Sequence, residues 1–315
     1  MTTVADGLFQ YGGQPVGGSL SLQKLFSTPN GIEHKGRAWF VDASSGSNGD
    51  GTSPQRALST MQKAFNAIAR GDIIYFVGKV TEQLVTPVQV FDVTVVGCGN
   101  RPRHADAVPA GGNWAASQWG PPASGGVAAQ ATVRVLQQGW RFVNILWTAI
   151  DANAACIELV RNAAADDAER DASHADIASC RFSGAGIGIR SGVAGTFTEI
   201  VNNVRVIDCD FMDMTTAMSS AIQASAWQIK GNRFRANTNH ITLQAGGFQI
   251  TNNIFGSFTT NGIVLTTGAG LNIITMNYLS GTYSNAGGYT AANANDEWAG
   301  NFNTLAGGIT VADPA

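Results

Sequence analysis

Charge is scarce in this chain. Only 13% of its 315 residues are Asp, Glu, Lys or Arg, roughly half the share of an ordinary globular domain. The net charge is −3 and no basic run occurs, which argues against sequence-independent binding to nucleic acid. No stretch of about 18 apolar residues is present to insert in a membrane. The opening Met1-Thr-Thr-Val-Ala-Asp has neither the basic region nor the apolar core of a signal peptide, so the expectation is synthesis in the cytosol without export. Cysteine is also sparse. Cys98, Cys156, Cys180 and Cys209 form no Cys-x-x-Cys pair, and read as reduced core residues rather than a disulfide or zinc framework.

Glycine, by contrast, is abundant at 38 residues, and apolar residues still make up 44%. That combination suits many tight turns around a core. It does not suit disorder.

A short phrase recurs down the second half: an apolar residue, two spacers, Asn or Cys, one spacer, then usually Phe. It stands as Ile177-Ala-Ser-Cys180-Arg-Phe182, Val206-Ile-Asp-Cys209-Asp-Phe211, Ile229-Lys-Gly-Asn232-Arg-Phe234 and Ile250-Thr-Asn-Asn253-Ile-Phe255. Weaker copies are Ile274-Thr-Met-Asn277-Tyr-Leu279 and Trp298-Ala-Gly-Asn301-Phe-Asn303. The Asn or Cys positions are 29, 23, 21, 24 and 24 residues apart. One polar residue in phase at such a period means a solenoid.

In a strand every second side chain shares a face. For Ile229 and Asn232 both to point inward, the chain must turn sharply between them. The turn residues would be Ser179, Asp208, Gly231, Asn252, Met276 and Gly300, and four of the six are types that enter the left-handed region cheaply. The runs that follow, such as Ile187-Gly-Ile189, Ile241-Thr-Leu243, Ile263-Val-Leu265 and Ile309-Thr-Val311, are β-rich. Coils stacked about 4.8 Å apart would place Asn232, Asn253, Asn277 and Asn301 in one internal column, with Cys180 and Cys209 continuing it as small apolar fillers.

Upstream, Ala38-Trp-Phe-Val-Asp42 predicts a strand. A helix follows, with a capping box of Ser59 and Gln62, an apolar stripe of Met61, Ala64, Phe65 and Ile68, and Gly71 as its stop. Such a helix would cap the open first coil. Further strands are expected at 72–77, 83–85, 93–96, 132–135 and 140–146, giving eight or nine coils. Inserted loops are expected at 98–130 and 161–174. Residues 1–36 lack strand or helix periodicity and read as an extended arm, with Leu8, Phe9, Tyr11, Leu25 and Phe26 able to bury against a partner. The chain divides into that arm and one body over 37–315.

The run Trp39-Phe-Val-Asp, Gly51-Thr-Ser-Pro, Thr60-Met-Gln-Lys-Ala64, Gly71-Asp-Ile-Ile-Tyr and Val80-Thr-Glu82 resembles the opening of the pectate-lyase-like right-handed parallel β-helix superfamily. The later Ile-x-x-Asn-x-Phe copies resemble its coils. The resemblance covers about residues 38–311. It implies an all-β, single-stranded right-handed parallel β-helix with an N-terminal capping α-helix. Within the superfamily, which spans lyases, hydrolases, adhesins and phage virion proteins, the chain looks most like phage virion structural proteins, through its unsignalled arm and the Gly139-Trp-Arg-Phe142 segment. That likeness implies a virion location, a homotrimer and contact with other virion proteins such as the major capsid protein. A host surface glycan is a further candidate partner.

Signatures of catalysis are few. The Asn-Thr-Asp, Asp-Asp, Gly-His-Gly and Arg-Ile-Lys signatures of the polygalacturonase-like branch do not stand at matching places, and Asp166-Asp167 lies in a loop. The best local carboxylates are Asp208, Asp210 and Asp213, with Asp210 on the strand exterior. The alternative function is therefore a tailspike-type depolymerase with a divergent groove. Gly184-Ala-Gly-Ile-Gly188 has no helix after it to make a phosphate loop, so no cofactor is expected. Asn48-Gly-Asp-Gly51 reads as a turn rather than a Ca²⁺ loop. His34, His104, His174 and His240 have no metal-ligand spacing, so no metal is expected. In the 98–130 insertion, Trp114, Trp119, Arg101 and Arg103 are candidates for a glycan or protein contact.

Overall fold

The computed structural model describes residues 10–11, 14–15, 36–44, 49–99, 117–122, 130–149, 151–161, 171–192, 200–220, 224–266, 271–280, 288–290, 295–303 and 308–309. The architecture is an all-β parallel β-helix. Each coil contributes a strand to three long sheets in turn, and each sheet is a stack of equivalent strands from successive coils.

The first sheet holds ten strands in chain order, from Ala38–Asp42 and Ile73–Val77 to Ile273–Thr275 and Glu297–Ala299, slightly more than the expected eight or nine. The second runs from Lys79–Val80 and Gln118–Trp119 to Tyr278–Leu279 and Phe302–Asn303. Its end differs from expectation. Gly308–Ile309 does not open a further parallel coil but folds back antiparallel on Phe302–Asn303, and so covers that strand's edge. The third sheet includes Val133–Val135, Ala155–Leu159, Ile187–Ser191 and the two long strands Asn237–Gly246 and Phe258–Thr266.

The corner between first and second sheets is built as the repeat requires. Ser179, Asp208, Gly231, Asn252, Met276 and Gly300 all take positive φ, between 53° and 69°. Asn144, with φ 58°, makes the same turn one coil earlier. At Gly231 a Cβ would lie 2.4 Å from Asp208 Oδ1, so a larger residue there would have to displace that carboxylate. A second corner, before six of the first-sheet strands, uses the same device at Gly139, His174, Asn203, Ala226, Gly247 and Leu271.

Inside the first corner the amides stack. Asn253 Oδ1 accepts from Asn232 N at 2.9 Å and Asn232 Nδ2 at 3.1 Å. Asn277 Oδ1 does the same for Asn253, and Asn301 Oδ1 for Asn277. Each Nδ2 also donates to a backbone carbonyl one coil back: Val206, Ile229, Ile250 and Ile274. No polar atom of these four side chains lacks a partner, so an otherwise costly burial is fully satisfied. Asn232 Oδ1 accepts from Cys209 N at 2.9 Å. The Cys209 and Cys180 thiols donate to the Ile177 and Phe142 carbonyls, each at 3.5 Å, and burial pushes the Cys209 thiol far above its ordinary pKa.

A second column is aromatic. Trp119, Trp147, Phe182, Phe211, Phe234 and Phe255 stack at centroid separations of 5.2, 6.2, 4.6, 5.0 and 4.7 Å, with planes within 17° of parallel. All six are fully buried, and offset stacking of this kind adds to area burial.

The helix is Met61–Ala67, and its Met61, Ala64 and Phe65 are buried with Ile68 just beyond. Phe65 packs against Trp119 and Trp140, closing the first end of the core. Its N-cap is Thr60 rather than Ser59. The reason is Glu82, whose carboxylate accepts from Met61 N and Gln62 N at 2.8 Å each. Glu82 thus takes the Gln62 N–H that a Ser59 cap would bind, while Ser59 Oγ accepts from Lys63 Nζ and the Gln62 side chain donates to Asn66.

Candidate functional surface

Strand alternation fixes what faces outward. Phe142, Phe182, Phe211 and Phe234 are fully buried, so the residues beside them line the outer rows. On the first sheet Arg141, Asp176 and Arg205 are register neighbours. On the second they are Arg181, Asp210 and Arg233. On the third they are Arg134, Glu158 and Arg190. Each sheet thus carries one acid between two arginines.

The three triplets differ in closure. Glu158 is fully buried, and its carboxylate receives Arg134 Nε at 2.6 Å and Arg190 Nη2 at 2.7 Å. Asp176 is flanked by Arg141 Nε at 3.3 Å and Arg205 Nη1 at 3.4 Å. Burial pushes the Asp176 carboxyl up, although Arg205 and Arg141 draw it down. Asp210 is the open member: its Oδ1 is buried and makes no hydrogen bond among the described residues. Arg181, Arg233 and Arg235 surround it on the same face. Asp208 and Asp213 take positive φ and serve as corner residues.

Beyond Arg235 the surface changes. From residue 236 to 315 there is no Lys or Arg, and the acids are Asp296, Glu297 and Asp313. Among the described residues, most of the exposed large apolar side chains fall in this stretch: Ile254, Leu271, Ile273, Met276, Tyr278 and Phe302. Ile254, Tyr278 and Phe302 continue the row of Arg181, Asp210 and Arg233 in register. The second sheet therefore presents one lateral strip, charged at one end and apolar at the other.

The residues expected to make contacts fare unevenly. Trp119 is not an exposed loop residue. It is fully buried in the aromatic column, stacked on Trp147, with its indole N–H donating to Glu82 O at 3.0 Å. The 98–130 insertion is accordingly shorter than expected, because Gln118–Trp119 is a coil strand paired with Leu146 and Trp147. Trp114, Arg101 and Arg103 lie outside the described residues, as do Leu8, Phe9, Leu25, Phe26, Asp166 and Asp167. Tyr11 lies in a two-residue strand, Gln10–Tyr11, paired antiparallel with Gln14–Pro15. Among the described residues no group of three His, Cys, Asp or Glu side chains is arranged for a metal ion. Asp50 is occupied by turn chemistry: it accepts from Thr52 N and Oγ1 and pairs with Arg56 at 2.6 Å, and the Thr52 hydrogen bonds hold its carboxyl below the usual range.

His240 is fully buried. Its Nδ1 lies 2.9 Å from Asn237 Nδ2, which can only donate, so the proton sits on Nε2 and is shared with Gly256 O at 3.1 Å. The ring packs among Phe234, Phe255 and Phe258, and burial pushes its pKa down to about 4.

The exposed apolar row was missed in the sequence, where Ile254, Tyr278 and Phe302 read only as spacers inside the phrase. Once Asn253 is inward its neighbour must be outward, and that alternation is the signal that finds them. No protein-family model matches the chain, and no curated protein matches it.

Proposed function

We propose that the chain is a phage virion structural protein, a rigid trimeric β-helix serving as a capsid decoration protein or small spike. Residues 1–36 fasten it to other virion proteins such as the major capsid protein. The observation that carries this reading is the apolar row Ile254, Tyr278 and Phe302 on the outside of a rod whose core is already complete. Such a row invites a protein partner, since contiguous exposed apolar surface marks interaction sites. The likeness to phage virion structural proteins, carried by the N-terminal arm and the Gly139-Trp-Arg-Phe142 segment, supports the virion setting. The test is gold labelling of this protein on intact particles. The expected result is label at a fixed position on every particle, and label confined to the soluble fraction overturns the reading.

A second reading, a tailspike-type polysaccharide depolymerase, is favoured by one observation: the buried, unpartnered Oδ1 of Asp210 amid three arginines. It expects release of reducing ends or unsaturated products from host capsule or O-antigen, abolished in Asp210→Asn. Unchanged polysaccharide after prolonged incubation removes it.

A further inference from the structure

The outer rows of the first two sheets are out of phase in sign. In the coil of Asp176 the second sheet carries Arg181, and in the next coil Arg205 on the first sheet is matched by Asp210 on the second. One coil of the end that lacks Lys and Arg brings Ile273 to the level of Tyr278, while the coils beside it set Gln249 level with Ile254 and Glu297 level with Phe302. Between these faces runs the corner that bears Met276.

We infer that copies of this chain associate side by side and in register, the first sheet of one copy against the second sheet of the next. A cyclic assembly about an axis parallel to the rod allows no axial offset, so each coil meets its own level in the neighbour. In that register Asp176 meets Arg181 and Arg205 meets Asp210, and nearer the C-terminus Ile273 meets Tyr278. The charges fix register and speed encounter rather than hold the complex. The apolar residues supply the adhesion.

The corners add an independent argument. Met276 and Leu271 are 60% and 68% exposed, and both hold positive φ, at 58° and 65°. Bulky apolar residues are poor choices there on two counts: the left-handed backbone disfavours them, and water does. Asn or Gly would suit either corner better in a lone rod. Retaining two apolar side chains in one coil, next to Ile273 and Tyr278, makes sense where a neighbour covers them.

A second copy is the occupant because the complementarity is internal to the chain. The band offers no cation to an anionic membrane or nucleic acid. The inference deepens the trimeric reading above and rests on it for the number of copies.

The test uses the full chain. Light scattering of Tyr278→Glu and Met276→Glu should report one-copy mass where the unaltered protein reports a closed oligomer, with an unchanged circular dichroism spectrum. A second arm places cysteines at both positions, Ile273→Cys with Tyr278→Cys, under oxidised glutathione. Within one copy these sites stand on different sheets, so disulfides should link neighbours into covalent multimers. Either substitution alone should give none, because neither residue meets its own equivalent. An oligomer that survives both glutamate variants and does not cross-link overturns the inference while leaving an assembly held by other residues. Cross-linking by single variants overturns it in favour of a two-fold contact. A one-copy mass for the unaltered protein removes the inference and the trimeric reading together.

Discussion

Between Gln118 and Phe211 the coils are filled by Trp119, Trp147, Ile145, Cys180 and Cys209, while the outside carries arginine–acid–arginine triplets, of which only Arg233 lies beyond this stretch. Between Asn232 and Asn303 the fill at the same corner is amide, and the outside at the same rows is Ile254, Tyr278 and Phe302. The backbone coil is the same in both halves. The comparison shows that a β-helix fixes where side chains point, not which chemistry must stand there. A ladder of amides fills the interior as well as rings and thiols do, provided every amide has its neighbour.

The sharpest way to break that equivalence is to remove filler from each half in turn. Trp147→Ala deletes a ring stacked between Trp119 and Phe182. Chemical denaturation should show a loss of about 3–5 kcal/mol. In the amide half, Asn253→Leu preserves bulk but removes the acceptor of Asn232 N and Nδ2 and the donor to the Ile229 carbonyl, and the same measurement should show about 1–3 kcal/mol lost.

Acid distinguishes the halves differently. His240 belongs to the amide half, and its folded pKa of about 4 lies below the unfolded value of about 6.5. The unfolded chain therefore binds the proton more readily, and stability falls as pH drops through the window between those values. Between pH 7 and pH 4.5 the loss from this one group should be on the order of 2 kcal/mol. Thermal melts across that range should show it, and His240→Gln should flatten the slope.

The smallest effect sharpens the comparison rather than breaking it. Cys209→Asn would extend the amide column one coil into the thiol half. Its Nδ2 would replace the sulfur as donor to Ile177 O and reach Asn232 Oδ1, which already accepts from residue 209 N. The expected stability change is under about 1 kcal/mol. A larger loss would mean that the two fillings are not interchangeable.

Much of this was legible in the residues. The period and the turn-forming residue before each Asn or Cys gave the coil, the corner and the ladder. Even Met276, an unlikely type for such a turn, adopts it with φ 58°. The earlier coils were harder to see. At Asn144-Ile145-Leu-Trp147 an apolar residue takes the ladder site, so the polar marker vanishes. Between Cys98 and Trp119 a long insertion separates the two halves of the phrase. Sequence spacing alone therefore puts Trp119 in the loop, whereas register places it opposite Trp147. The charge triplets repeat at coil spacing too, but they become visible only after the phase of each sheet is known. The cap moved by one residue because Glu82, distant in sequence, supplies the acceptors.

The amide column has a direction. Asn232 donates to Asn253, Asn253 to Asn277, and Asn277 to Asn301, always toward the later residue. Each coil therefore holds two donors, an N–H and an amide, that only its successor can satisfy. A ribosome delivers the chain from the N-terminus. Through the amide half, the growing front exposes donors until about 21 to 24 more residues have emerged. Synthesis then proceeds as a relay in which every coil is finished by the one that follows it, and a stalled or truncated product carries its unfinished edge at its C-terminal end.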